Sequence, residues 1–489
     1  MDPINLHALS SRQQKALDAV LGGRSTVVGG PAGSGKSYFI RVLKSLRPDA
    51  VVTAMTGLAA VAVGGVTLHK FAGIGIGDPG PNVTVDDDTD TFVRTAAHYI
   101  GKKIRSDIRR VIRQTDLLVV EECSMLSEYL FRLIDTLFRQ IRREPHKPWG
   151  GMQLVFVGDM RQLAPVAKAR DHPLMGRFFF QAYPLFQTTF LGGVHIFKRI
   201  YRQHSEELQE LLNRAAAGKP SAADIELLRS RVINPPDLCP SPTATWLFGT
   251  KDMVARYNSA YLGSIDQPVH AYDMKITKLN GATDSVSEWA VKNCIVERRV
   301  SVKEGALVML LWNIAPGFAN GTVGFVVGYS PDGYPLFRRK DPLGHTPVAM
   351  PEHETIAVKP VDWEVIDHAY GTVRLNQVPI KLAYALTIHK AQGIQVDEAA
   401  MAVDRSNCFA PGQAYVALSR LTTLEGMYLT KFEPEAIRAS PAAVAFYKKY
   451  ERADDEDDDE AIVDPTVVES ESDPDAPPPS YEQATGHCE

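Results

Sequence analysis

The chain has 489 residues, 45% hydrophobic and 23% charged, ordinary proportions for a globular protein with two to four cores. No apolar run approaches the roughly 20 residues of a membrane helix, and MDPINLHALSSRQQ holds neither an apolar signal core nor an Arg-rich presequence, so the expectation is an intracellular protein with no membrane insertion. The net charge of −5 hides an asymmetry: residues 451–489 hold 15 acidic residues against Arg452, which leaves 52 basic and 43 acidic residues in the body, a net of +9 that suits a polyanionic partner.

Taken in chain order, the first informative element is STVVGGPAGSGKS, followed by the helical pattern YFIRVLKSL. Gly30, Pro31, Ala32, Gly33, Ser34, Gly35, Lys36 and Ser37 fit the G-x-x-x-x-G-K-[ST] loop. Its glycines let successive N–H groups face a phosphate at a helix start, its lysine reaches the outer phosphates, and its serine ligates magnesium. ATP and Mg2+ are therefore the expected ligands. A loop-rich stretch, GIGIGDPGPNVTVDDDTD, then interrupts the domain.

The next buried run, LLVVEECSML, ends in Glu121 and Glu122. Alone, such a pair reads as a charged turn. Downstream of a phosphate loop it reads as the acids that hold magnesium and orient an attacking water. Cys123 beside them is expected to pack rather than react; the five cysteines are far apart and never form C-x-x-C, which argues against disulfides or zinc. A third run, MQLVFVGDMRQL, brings Asp159 and Gln162 to the same edge, either of them a candidate sensor of the terminal phosphate.

After the helical LQELLNRAAAG the pattern repeats in TATWLFGTKD, KLAYALTIHKAQG and AAMAVDRS. Continuous apolar runs punctuated by polar residues predict buried parallel strands, here two sheets with a cleft between them, an α/β fold. Between about 266 and 374, short pieces broken by Gly, Asn and Pro predict a small antiparallel barrel-like insertion. From Ala453 onward, DDEDDDE and DPDAPPPSYEQ predict a disordered acidic, Pro-rich tail.

These blocks together resemble the superfamily 1 DNA helicases of the petite integration frequency (Pif) and RecD type. LSSRQQKAL is similar to the family's adenine-recognition block, with Gln13 its glutamine, and TGLAAVAVGGVTLHKFAGIG to its first DNA-contacting block. GGMQLVFVGDMRQLAPV is similar to the phosphate-sensing block, FKRIYRQ to an arginine-containing block, and KLAYALTIHKAQG and GQAYVALSRLTTLEGMYL to the last two. The likeness runs from Leu9 to about Tyr447.

The resemblance implies two RecA-like parallel-sheet P-loop domains, with a wedge insertion in the first and an SH3-like β-barrel insertion in the second. The expected division is 1–190 for domain 1A (insertion 1B about 72–100), 191–265 and 375–450 for domain 2A, 266–374 for insertion 2B, and 451–489 for the tail. It implies an ATP-dependent helicase that moves 5' to 3' on single-stranded DNA and unwinds duplexes. Glu121 is then the magnesium-side acid, Glu122 the water-positioning acid, Gln162 the phosphate sensor, and Arg202 and Arg420 the arginine fingers. Thr56, His69 and Phe71 would grip DNA from the first domain, and Thr387, His389, Lys390 and Gln392 from the second. The family pair is Asp-Glu; Glu121 is one methylene longer, roughly 1.5 Å of extra reach, which could carry it to the ion directly.

In the tail, Pro478, Pro479 and Tyr481 fit P-P-x-Y, a polyproline pattern that docks on WW domains. It points to a WW-containing partner and a eukaryotic cell; the expected protein is a compact viral member of the family, and the expected compartment the nucleus, with the cytoplasm as the alternative. The expected partners are otherwise single-stranded DNA and single-strand/duplex junctions, and the expected state is a monomer. Two readings remain beside unwinding: a DNA-stimulated ATPase that displaces proteins without separating strands, and a nucleotide-binding recruitment module.

Overall fold

A computed structural model describes residues 9–451 apart from 169, 202, 204, 234–243, 280, 316, 317, 319, 320, 340–354 and 368–370. Arg202, Pro478, Pro479 and Tyr481 lie outside the described residues.

Six strands pair in parallel in the order β3-β2-β4-β5-β1-β6: β1 (Thr26–Gly29), β2 (Val51–Ala54), β3 (Val66–Thr67), β4 (Leu117–Glu121), β5 (Gln153–Gly158) and β6 (Val194–Ile196). The period of two explains why the runs are apolar throughout. Leu117 and Val119 join Val28, Val155 and Val157 in the core on one face, while Leu118 and Val120 join Val27, Leu154 and Phe156 on the other. Parallel register then aligns the carboxyl ends, with Gly29 opposite Gly158 and Glu121 opposite Val157.

A second parallel sheet has the order Ala385–Thr387, Thr245–Phe248, Ala399–Val403, Met427–Phe432. The segment between its first two strands in sequence forms antiparallel sheets. One is five-stranded: Thr355–Ala357, Pro335–Arg339, Val323–Tyr329, Leu307–Leu310 and Ile380–Leu382. The others pair Val361–Asp367, Gly371–Gln377 and Lys275–Leu279, and Arg299–Val302 with His270–Asp273. Together they enclose a separate core around Phe337 and Val373. Among the described residues no helix is long and apolar enough to cross a membrane.

The expected boundaries shift in three places. β6 pairs with β1, so the first body runs past residue 190. Ile380–Leu382 pairs with Leu307–Leu310, so the insertion's sheet runs past 374. The Pro441–Glu451 helix, expected in the second body, lays Ala443, Phe446 and Tyr447 into the first body's core, Phe446 against Phe180 at 4.5 Å. Within the expected wedge, Thr89–Gly101 is a helix capped by Asp88, whose side chain accepts from the Asp90 and Thr91 amides.

Aromatic packing rigidifies the back of the first sheet. Trp149, fully buried, sits 5.4 Å from Phe131, 5.5 Å from Phe138 and 5.7 Å from Phe156. Trp149→Ala is expected to destabilise this body by about 3–5 kcal/mol, read as a lower denaturant midpoint by circular dichroism.

Candidate active site

The loop after β1 turns through left-handed glycines, Gly33 and Gly35 both at φ +83°, and Gly35 caps the Lys36–Leu46 helix. A side chain at Gly35 would start 2.6 Å from Gln13 Nε2, so this turn requires glycine. Gln13 is buried against the loop: its Nε2 donates to the Ser34 carbonyl at 3.4 Å, and its Oε1 accepts from the Ser10 amide at 2.9 Å. Lys36 Nζ donates to the carbonyls of Gly30 and Pro31 at 2.8 and 2.7 Å. Pro31 and Ala32 are buried with the loop.

Ser37, on the helix's first turn, donates from Oγ to Glu121 Oε1 at 3.0 Å. The longer acid thus spans from the end of β4 to the hydroxyl expected to ligate magnesium. Glu121 is buried, and desolvation, followed by the charge of Glu122, pushes its carboxyl up to about 7. Glu122 follows in the left-handed region, φ 55° and ψ 39°, where non-glycine residues are strained and cluster at active sites. Cys123 is buried beside Gly158, and desolvation holds its thiol well above the usual range, so it packs as expected.

At the end of β5, Gln162 is buried with Oε1 lacking a hydrogen-bond partner among the described residues, as does the buried Ser34 Oγ. Buried polar atoms left so at a phosphate loop are groups that a ligand would satisfy. With the glycine turns and the Ser37–Glu121 pair, the donor set fits ATP with magnesium: Ser37 and Glu121 would hold the ion, and magnesium needs only one or two protein ligands beside phosphates.

The second body closes on this edge through two side chains, Gln392 and Tyr415. Gln392 Nε2 donates to Glu122 Oε2 at 2.8 Å. Tyr415 donates from its hydroxyl to Asp159 Oδ2 at 2.7 Å and accepts from the Ala32 amide at 3.2 Å. Asp159, fully buried, also accepts at Oδ1 from Tyr447 at 2.9 Å, and Arg161 lies 3.8 Å from the Tyr447 ring and pairs with Glu451 at 2.6 Å. Tyr415 and Tyr447 were invisible to motif spacing; the one signal was Asp159 in the phosphate-sensing block.

Of the two expected arginine fingers, Arg202 lies outside the described residues. Arg420 is 1% exposed; its guanidinium donates to the carbonyls of Val416, Ala391 and Ile394 and to Ser419 Oγ. In this conformation it braces the turn that carries Gln392 instead of reaching for phosphates. The Tyr201 amide donates to the Gly33 carbonyl at 2.8 Å, and Gln203 Nε2 to the Leu421 carbonyl at 3.0 Å, so Tyr201 meets the phosphate loop and Gln203 the second body.

Of the residues expected to grip DNA, Thr387 caps the Ile388–Ala391 turn by accepting from the Lys390 amide at 3.2 Å, with His389 half-buried and Lys390 exposed on it. Desolvation lowers the pKa of His389 and Lys390, and the charge of Lys251 lowers Lys390 further. Desolvation, then the charge of Lys390, lowers Lys381 to about 8. Lys251 and Lys381 lie inside the quoted runs TATWLFGTKD and KLAYALTIHKAQG, and were missed because a lone lysine in such a run carries no signal of its own. These like charges, offset in part by Glu297, which acts on both Lys381 and Lys390, form a basic group that suits an anionic partner. On the first body, Thr56 is half-buried and accepts from the Ala59 amide at 3.2 Å, and the half-buried His69 has its pKa lowered by desolvation. Phe71 corrects its expectation: it is 6% exposed and packs edge-on to Phe138 at 6.1 Å, a core ring out of reach of a base.

Comparison with known proteins points to the PIF1-like helicases. The model of the PIF1-like helicases matches residues 8–211. The ATP-dependent DNA helicase PIF1 of Homo sapiens is 32% identical over 474 residues, covering 93% of this chain and 67% of the human protein. Among solved structures, the Pif1 helicase of Candida albicans superposes with a TM-score of 0.75 at 28% identity, covering 90% of this chain and 99% of that one. The Bacteroides Pif1 helicase in complex with ADP-AlF3 and single-stranded DNA gives 0.68 at 26% identity, covering 91% and 98%.

The raised pKa of Glu121 has a definite sign. The folded carboxyl keeps a proton between its ordinary 4.5 and about 7 that the unfolded chain releases, so the group's cost to stability appears as pH rises through that window. Glu121→Gln, measured by thermal melts in chelator, is expected to raise the midpoint at pH 8 by a few degrees and to leave it nearly unchanged at pH 4.5.

Proposed function

The chain belongs to the PIF1-like helicase family, and from that premise we propose that it is an ATP-dependent DNA helicase that translocates 5' to 3' on single-stranded DNA and unwinds duplexes. The observation that carries this reading is the meeting of both bodies at one edge. The phosphate loop, Glu121 and Glu122 come from the first, and Gln392 and Tyr415 reach them from the second. A module that only bound nucleotide would have no physical use for cross-body contacts at the acid pair.

Gln13 and the loop from Gly30 to Ser37 hold ATP, Ser37 and Glu121 hold magnesium, and Glu122 orients the attacking water. Gln162 reads the outer phosphate. Magnesium, when bound, offsets the phosphate charge. Lys36 and Arg202 add positive charge where it develops in the transition state. Arg420 joins them only if it leaves the carbonyls of Ala391 and Ile394; otherwise it acts as a brace. Because the two bodies contact the nucleotide edge from opposite sides, nucleotide state and cleft closure are linked by differential affinity. Thr56, His69, Thr387, His389 and Lys390, with Lys251 and Lys381, form the polynucleotide track, so closure shifts one half of the grip against the other.

The domain division follows the corrected boundaries: a first body from Leu9 through β6 together with the Pro441–Glu451 helix, a second body, its SH3-like insertion, a small 1B element near Thr89–Gly101, and the tail. We read the protein as a monomer that acts in the nucleus and recruits a WW-domain protein through Pro478, Pro479 and Tyr481. Protein displacement without unwinding is the second reading, since the same site serves both.

Three measurements check these proposals. Duplexes with a 5' single-stranded overhang are expected to unwind with ATP and those with a 3' overhang are not; ATP hydrolysis without unwinding of either would favour displacement. Glu122→Gln is expected to cut turnover by about a hundredfold or more while nucleotide still binds, and Glu121→Asp to retain turnover. WW-domain capture of the full chain is expected to vanish on Tyr481→Ala.

A further inference from the structure

The hydrogen bond from Gln392 to Glu122 joins two blocks with separate duties. Gln392 ends the single turn Ile388–Ala391, whose other residues include His389 and Lys390. The amide lies five residues beyond Thr387, which caps that turn. On the far side, its Nε2 meets the carboxylate at the end of β4 at 2.8 Å. Gln392 is 2% exposed, and its Oε1 has no hydrogen-bond partner among the described residues, so half of a buried amide is left unsatisfied to keep the other half on Glu122.

The surrounding backbone is arranged for this reach. Gly393 adopts φ +82°, and an ideal Cβ there would lie 3.5 Å from Glu122 Oε1, so the turn passes close to the acid. Arg420 bonds the Ala391 and Ile394 carbonyls on either side of Gln392, which ties the turn to the Gln413–Leu418 helix. That helix carries Tyr415, bonded to Asp159 and the Ala32 amide. A shift of the turn is thus felt at the acid pair through the hydrogen bond from Gln392 to Glu122.

We propose that Gln392 is a positioning residue for hydrolysis: its amide sets the Glu122 carboxylate, and polynucleotide seated on Thr387, His389 and Lys390 controls turnover through that hydrogen bond. This reassigns Gln392 from contacting DNA to reporting it. The inference rests on Glu122 being the hydrolytic acid.

The test measures ATPase rate of the full chain against concentration of an oligothymidylate, which separates the half-saturating DNA concentration from the plateau rate. Gln392→Ala, and the near-isosteric Gln392→Glu, are expected to lower the plateau tenfold or more while half-saturation stays within about threefold. His389→Ala, a change in grip, is expected to raise half-saturation instead. Fluorescence anisotropy with labelled oligothymidylate confirms that each variant is folded. A plateau within threefold of the parent in both Gln392 variants, or a deficit recovered by more DNA, overturns the proposal. Glu122→Gln hydrolysing at the parental rate instead removes the reading of Glu122 on which it stands.

Discussion

Two adjacent carboxylates at the end of a buried strand are the constraint around which the first body and its neighbour are arranged. Burial strips water from Glu121 and, second, the neighbouring Glu122 repels its charge, which is why the Glu121 carboxyl rises to about 7. Each acid is steadied by one donor from a different direction. Ser37 holds Glu121 from the phosphate-loop helix, and Gln392 holds Glu122 from the other body. A cation and its phosphates would complete what those two hydrogen bonds begin.

Asp159 is the second junction. It is fully buried, yet accepts from Tyr415 of the second body and from Tyr447 of a helix that crosses back from the second body to the first. A buried carboxylate is tolerable only when its oxygens are bonded, so the two hydroxyls and the crossing helix are mutually required. The chain's return through Pro441–Glu451 makes the first body a composite of its N-terminal sheet and its C-terminal helix, with Arg161 and Glu451 closing the seam.

Much of this was legible before any coordinates. Gly30–Ser37 is readable because its chemistry is local: glycine torsions, a lysine and a hydroxyl within eight residues, flanked by a strand and a helix. Leu117–Val120 is readable because a strand buried on both faces needs apolar side chains at every position. The antiparallel insertion shows in its short, Gly- and Pro-broken runs. Phe71 was misplaced because an aromatic residue in a DNA-contacting block looks the same whether it stacks on a base or on Phe138. The contacts of Arg420 were not legible because its side chain turns inward onto carbonyls that only packing brings near. β6 was cut off at a boundary because three residues carry too little pattern to declare which sheet they join.

By itself, then, the sequence determined the elements and the chemical kinds of residue at their ends, since both follow from torsional preference, periodicity and side-chain type over short windows. Only the tertiary structure decided which of those ends face one another: Gln392 on Glu122, Tyr415 and Tyr447 on Asp159, Ser37 on Glu121. Those pairs are separated by 84 to 288 residues, and the distance between such groups is set by how whole sheets and helices pack, a sum over many contacts that no local window contains. The longer acid at position 121 shows the division. Its identity was plain from the start, and its use, reaching the hydroxyl of the phosphate-loop helix, exists only once β4 and that helix share an edge.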